Sequence, residues 1–234
     1  MPDPGRPLPP KVTRTRLYEQ VAEQITTWAA QSGLTVGDRL PPERELAVQL
    51  GVSRATLSQA LVALEVVGVV AVRHGDGTVL VRPTTASIGQ AIRAHASRLP
   101  EILETRDALE TKLAALAAER RTDDDLAAIE AALAEMEADV EAGGRGVEGD
   151  QRFHAAVTAA SHSALLARLM VEIAPLVTES RLESLSQPGR PRASLAGHRR
   201  IAAAIVAGDP AAAAAAMHDH IGMVSDVALL REGQ

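Results

Sequence analysis

At 234 residues and 46% hydrophobic content, the chain can bury one large core or two small ones. Cysteine is absent, which excludes a disulfide framework and any thiolate metal site, and no charge-free run of about 18 apolar residues argues for a membrane span. Net charge is −6, yet residues 1–82 hold 9 Lys+Arg against 8 Asp+Glu while residues 83–234 hold 15 against 22, so a nucleic-acid contact would need a local basic face in the N-terminal part.

Only 1% of residues are aromatic (Tyr18, Trp28, Phe153), so Ala, Leu and Val must fill the core, which favours helix. Residues 1–10, MPDPGRPLPP, read as a flexible arm without an apolar signal segment. Leu17, Val21 and Ile25 at i, i+4, i+8 predict a helix over 14–30. Gly33 and Gly37 bracket a turn, and Pro41-Pro42 opens a second helix that stops at Gly51. Ser53 is a candidate N-cap for a third helix, whose apolar stripe is Leu57, Leu61 and Leu64 and whose end is Gly68. The following segment, VVAVRHGDGTVLV, places two β-branched runs around Gly75-Asp76-Gly77, a hairpin signal. Helix, helix, turn, helix and hairpin over residues 11–82 make a winged helix-turn-helix.

Pro83 closes that unit, and residues 83–234 read as all-α, an antiparallel helical bundle. Helices are expected near 85–96, 99–120, 123–142, 147–161, 163–186, 193–207 and 210–229, with Pro100 as the first break. Within this part Asp150 and His154 stand four residues apart, about 40° apart around a helix, so both can face one ion. His198 and His220 lie on or beside apolar stripes of two further helices. Three imidazoles and a carboxylate suit a divalent metal: Zn²⁺, with Ni²⁺, Mn²⁺ or Fe²⁺ also compatible. Each His taken alone is more often a hydrogen-bonded core residue. Of the remaining histidines, His218 points away from His220, His162 lies in a helix break, and His95 is expected to be exposed.

The stretch GDRLPPERELAVQLGVSRATLSQALVALEVVGVV, followed by GDGT, resembles the signature of the GntR family of transcriptional regulators. LETRDALE at 103–110, DQRFH at 150–154, HRRIAAAIVAGDPAAA at 198–213 and MHDHI at 217–221 resemble the FCD ligand-binding domain of its FadR-like branch. The resemblance implies a homodimer on double-stranded operator DNA, working in the cytoplasm as a regulator, by default a repressor, and not as an enzyme. It sets Ser53, Arg54, Ala55, Thr56, Ser58 and Gln59 in the major groove, Arg44 on the DNA, and His74 and Gly75 at a wing tip reaching the minor groove. Arg54 is suited to bond guanine bidentately. Ser58 departs from the Arg common in relatives, which leaves the operator sequence open.

In the C-terminal part the resemblance implies that Arg106 lines an effector cavity, where a guanidinium can clamp a small organic acid. Its bland counterpart is a salt bridge to Glu110. Ser163 stands where many relatives carry a ligand-facing Asn. Three rival readings are a purely structural ion, a metal-free pocket for a larger acyl ligand, and a metal-dependent hydrolase in which the ion activates water.

Overall fold

The computed structural model describes residues 16–73, 77–82 and 88–223. Helix α1 (Leu17–Gln31) buries Tyr18, Val21, Ala22, Ile25 and Ala29, the i, i+3, i+4 face its pattern predicts. Helix α2 (Glu43–Leu50) ends at Gly51, whose φ of 65° is the left-handed conformation glycine adopts without strain. Helix α3 (Arg54–Val66) is capped by Ser53, whose hydroxyl accepts from the Thr56 N–H at 3.1 Å. Leu57, Leu61 and Leu64 are buried, as their spacing requires.

Strands β1 (Val70–Arg73) and β2 (Gly77–Leu80) pair antiparallel, with Val70 opposite Leu80 and Arg73 opposite Gly77. The loop ahead of α2 borders the hairpin: Leu40 N–H donates to the Thr78 carbonyl, and Leu80 N–H donates to the Asp38 carbonyl. Together these elements form the expected winged helix-turn-helix. The wing-tip residues His74 and Gly75 lie outside the described residues, as does the arm 1–10.

Helix α4 (Ile88–Arg120) corrects one expectation. It runs 33 residues without the break expected at Pro100. Ile88, Ile92, His95, Leu99, Ile102, Arg106, Glu110, Leu113 and Ala117 are buried at intervals of three or four, so one stripe stays in phase through the proline. Pro100 itself is exposed. The carbonyl it leaves without an N–H partner belongs to half-buried Ala96, and burial of the flanking stripe outweighs the roughly 3 kcal/mol of a helix proline. The same helix enters two cores. Ile88 and Ile92 pack with Val21, Ile25, Leu61 and Leu64, whereas Leu99 and Leu103 pack with Phe153, Ile201, Ile205 and Met217.

The remaining helices are α5 (Asp123–Glu141), α6 (Val147–Ala160), α7 (Ala164–Leu185), α8 (Arg190–Ala207) and α9 (Pro210–Gly222). Thr122 and Asp125 form a capping box at the start of α5. Asp209 caps α9 with Pro210 in its first turn. Fully buried Ala114, Ala117, Ala160 and Ala213 replace the aromatic bulk this chain lacks. Their small side chains let helix backbones approach closely. Gly149 does the same, since a Cβ there would meet the Met136 backbone at 2.5 Å. No described helix is long and apolar enough to cross a membrane.

Candidate metal and effector site

Asp150 and His154 project from α6, His198 from α8 and His220 from α9, all buried. One ligand atom from each lies within 4.8 Å of the others. His198 Nε2 stands 3.2 Å from His154 Nε2, 3.1 Å from His220 Nε2 and 3.4 Å from Asp150 Oδ1. Burial holds His198 and His220 well below the usual imidazole range, helped by the charges of neighbouring histidines. Burial, with Arg181 beside it, also lowers His154, against the opposing pull of Glu110. The imidazoles are therefore neutral at pH 7 and offer lone pairs.

The surroundings orient those lone pairs. His154 Nδ1 is 2.5 Å from Glu110 Oε2, a close charge contact outside hydrogen-bond geometry, and its Nε2 faces the cluster. His198 Nδ1 faces the Met136 sulfur at 3.3 Å, and Phe153 stacks on the His198 ring at 4.3 Å. Gly197 makes room for His220, because a Cβ there would approach His220 Nδ1 to 2.7 Å. His198 Nε2 has a single proton or a single lone pair in the ring plane, so it can make a well-formed hydrogen bond to His154 Nε2 or to His220 Nε2 but not to both. A cation at that point would resolve the crowding, so the donor set fits a divalent metal of N/O preference.

Glu110 is the centre of a second buried group. Its carboxylate accepts from Arg106 Nε at 2.7 Å and from Arg181 Nη2 at 3.0 Å. Burial pushes this carboxyl up, but Arg106, His154 and Arg181 together hold it well below the usual range. Arg106 is fully buried, and its Nη1 donates to Ser180 Oγ at 3.1 Å. The Arg106–Glu110 salt bridge weighed from the sequence is thus formed. Even so, Arg106 Nη2, Arg181 Nε and Asp150 Oδ2 are buried without a hydrogen-bond partner. Arg181 Nε lies 3.6 Å from Asp150 Oδ2, too long for a hydrogen bond.

Two spaces meet this group. A cavity of about 10 Å³ is lined by Arg106, Asp150, Arg181, Ser194 and His220 among others, room for about one water. A groove of about 470 Å³ runs between α6 and α7, with His154 and Arg181 in its walls alongside Ala155, Met170 and Val177. Ser163 lines neither. It is the N-cap residue of α7, and its N–H donates to Ser161 Oγ at 3.3 Å. Sequence reasoning missed Arg181 and Gly197 and weighed Glu110 only as a partner for Arg106. A signal existed for Arg181: it falls in phase with buried Val177, Ser180, Ser184 and Leu185, where an unpaired charge would not be tolerated.

His95 is a correction. Expected to be exposed, it is 3% exposed, because unbroken α4 carries it under α7, where its ring bonds Glu179 at 3.1 Å and Glu183 at 3.0 Å. Burial opposes its charging, but the two carboxylates raise its pKa overall. His162 and His218 stay outside the cluster, paired with Asp125 and Asp107.

At the other end of the molecule, Ser53, Arg54 and Ala55 are exposed at the start of α3, and Arg44 is exposed in the first turn of α2. Thr56, Ser58 and Gln59 are half-buried, with Thr56 Oγ1 2.8 Å from Ser53 Oγ.

Residues 17–80 match the family model for bacterial regulatory proteins of the gntR family, and residues 101–223 match that for the FCD domain. The HTH-type transcriptional regulator LutR of Bacillus subtilis is 36% identical over 204 residues, covering 83% of this chain and 93% of that protein. The chain belongs to the GntR family. The putative L-lactate dehydrogenase operon regulatory protein of Escherichia coli is 34% identical over 225 residues, covering 89% of this GntR-family chain and 85% of its own. Among solved structures, Streptococcus agalactiae GntR is 31% identical and spans 88% of this chain and 98% of its own, with a TM-score of 0.48. These GntR-family relatives are regulators of transcription, not enzymes, so the hydrolase alternative falls away.

Proposed function

We propose that this GntR-family protein is a homodimeric repressor whose hold on operator DNA is modulated by a small carboxylate sensed at a metal in the helical part. Residues 11–82 form the DNA-binding domain and residues 83–234 the sensor. Arg54 and its exposed neighbours Ser53 and Ala55 read the major groove, Thr56, Ser58 and Gln59 lie along the same helix, Arg44 meets the backbone, and His74 and Gly75 reach the minor groove. Asp150, His154, His198 and His220 hold the ion, with Zn²⁺ the first candidate.

One observation carries the sensing half. Four buried ligands converge beside two guanidinium groups that keep unpartnered donors, Arg106 Nη2 and Arg181 Nε. Buried donors without partners are costly, and a bound carboxylate would satisfy both while the ion supplies a Lewis-acidic position for a second oxygen. The groove between α6 and α7 gives an approach past Arg181. A relative named for an L-lactate dehydrogenase operon makes 2-hydroxy acids the first effectors to try. For dimerisation, Leu165 (69% exposed) and Leu169 (42% exposed), four residues apart on α7, leave an apolar strip uncovered in the single chain, suited to a second copy.

Elemental analysis of the purified protein tests the metal, and thermal-shift screening of carboxylates with and without chelator tests the effector. A metal-free protein that takes up no divalent ion on titration would end the metal-sensing half. Stabilisation by a carboxylate that is insensitive to chelator would favour the metal-free pocket. Gel shifts on operator fragments selected from a genomic library, at defined salt, test the DNA half.

A further inference from the structure

The turn between α5 and α6 carries a contact that neither half of the proposed function uses. Arg145 sits in this turn, between Gly144 and Gly146. Its guanidinium forks onto Glu65 near the end of the recognition helix: Nη1 donates to Oε2 at 2.7 Å and Nη2 to Oε1 at 2.9 Å. The same Nη1 donates to Ser186 Oγ at 2.7 Å, at the C-cap of α7. Nη2 also reaches the Val72 carbonyl of β1, at 3.3 Å. Glu65 completes the arrangement by accepting the Val72 N–H at 2.8 Å through Oε1. One side chain therefore ties together the recognition helix, the first strand of the wing and the end of α7. The Glu65 side chain is only 8% exposed, so this pair is screened less than a surface pair would be.

The anchorage of Arg145 leads straight to the candidate metal site. Gly146, the next residue, has φ 71° and its N–H is held by Asp139 Oδ2 at 2.6 Å. A Cβ at Gly146 would press on the Met136 side chain at 2.8 Å, and one at Gly149 would strike its backbone. The start of α6 is thus seated tightly on α5, and the turn must move with α6. Asp150 lies one helical turn on, with its N–H bonded to the Gly146 carbonyl. On the other side, Ser186 follows by a little over one turn the Arg181 that faces Glu110. A cleft of about 530 Å³, lined by Val72, Asp139, Arg145 and Glu148 among others, opens beside the fork and leaves room for it to separate.

We propose that Arg145 is the positioning residue that couples the recognition helix and wing to α6 and α7, so that rearrangement at the metal site is delivered to the DNA-reading surface through the Arg145–Glu65 fork. The coupling rests on the sensing function proposed above; the fork itself does not. The guanidinium head is planar and holds Glu65 by two bonds, so a shift of the turn beyond what the flexible stem can follow loses both together. That makes it a two-state contact, which a sensor needs if a small displacement is to have a discrete readout.

The test is hydrogen exchange on the full chain, followed over residues 54–73, in chelator and then in Zn²⁺, for wild type, Arg145→Ala, Arg145→Lys and Glu65→Gln. Circular dichroism confirms that each variant keeps its helix content. In chelator, Arg145→Ala is expected to speed exchange at Val72 and the last turn of α3 by about tenfold, the scale of one lost charge-assisted hydrogen bond. Arg145→Lys, which keeps the charge but loses the fork, falls between. Glu65→Gln repeats the Ala result. On adding Zn²⁺, the wild-type pattern over 54–73 changes, whereas Arg145→Ala still binds the ion, with an affinity altered by the lost coupling, and shows no change there. Equal exchange in wild type and Arg145→Ala in chelator would overturn the fork as a fastening. A zinc response over 54–73 that survives in Arg145→Ala, or a wild type that binds zinc without any such response, would overturn the coupling. If zinc does not bind at all, the metal-sensing function and the coupling built on it fail, while the chelator arm still decides the fastening.

Discussion

Replacing Glu110 by Ala should be among the most damaging single changes in the sensor. Glu110 is 2% exposed and accepts from Arg106 at 2.7 Å and Arg181 at 3.0 Å, with His154 at 2.5 Å. The truncation leaves two buried guanidinium groups without their common counter-charge. Removing one partner of a buried ion pair costs about 3–5 kcal/mol. At about 2–4 °C per kcal/mol for a chain of this size, the midpoint should fall by about 6–20 °C. Calorimetry of the metal-free protein at pH 7.5 measures this. The pH dependence supplies a control. Glu110 is held well below its usual range in the fold, so its contribution is complete above the unfolded pKa of about 4.3 and is lost only as pH falls through the lower folded value. The gap between wild type and variant should therefore stay constant from pH 8 to about pH 6.5, above the titration of the His154 that Glu110 also biases, and should close only below the carboxylate range of about 4.3. A loss under about 1 kcal/mol, the worth of an exposed pair, would refute the reasoning. Glu110→Gln keeps the shape but not the charge, and should lower metal affinity by about 10–100-fold through the weakened hold on His154.

Three further outcomes are expected. Wild type should gain about 2.7 kcal/mol in Zn²⁺ at a hundred times its Kd, and His198→Ala should lose that gain together with bound zinc measured by elemental analysis. Arg54→Ala should reduce discrimination between selected and scrambled operators by about 1–3 kcal/mol in gel shifts, whereas Arg44→Ala should weaken both alike and flatten the salt dependence. The metal-free protein should lose stability as pH falls below about 6.5, because His154, His198 and His220 are depressed in the fold and bind protons more readily when unfolded; urea midpoints that rise on acidification from pH 7 to pH 5.5 would contradict this.

The cluster of Asp150, His154, His198 and His220 was legible because its members carry their own geometry: Asp150 and His154 share a helix face by spacing, and His198 and His220 interrupt or border apolar stripes. Helix α3 was legible for the same reason, with Ser53 as cap and leucines at helical intervals. Pro100 misled because a local rule met a longer-range one: eight turns of in-phase burial outweigh a single missing N–H on an exposed face. His95 was misjudged as a consequence, since its burial depends on that helix continuing. Arg181 and Arg145 were not singled out because their partners lie far away along the chain. Glu65 and Arg145 are 80 residues apart, and nothing local marks either as one half of a pair.

The unbroken α4 also makes the molecule a lever. Its first turns are built into the core of α1, α3 and the hairpin, and Arg106 is eighteen residues beyond Ile88, about 27 Å along the axis at 1.5 Å per residue. Tilting that rod by about 5° around Arg106 would swing Ile88 sideways by about 2 Å. Displacements too slight to notice beside Arg106 would thus arrive enlarged at the surface proposed to grip the operator.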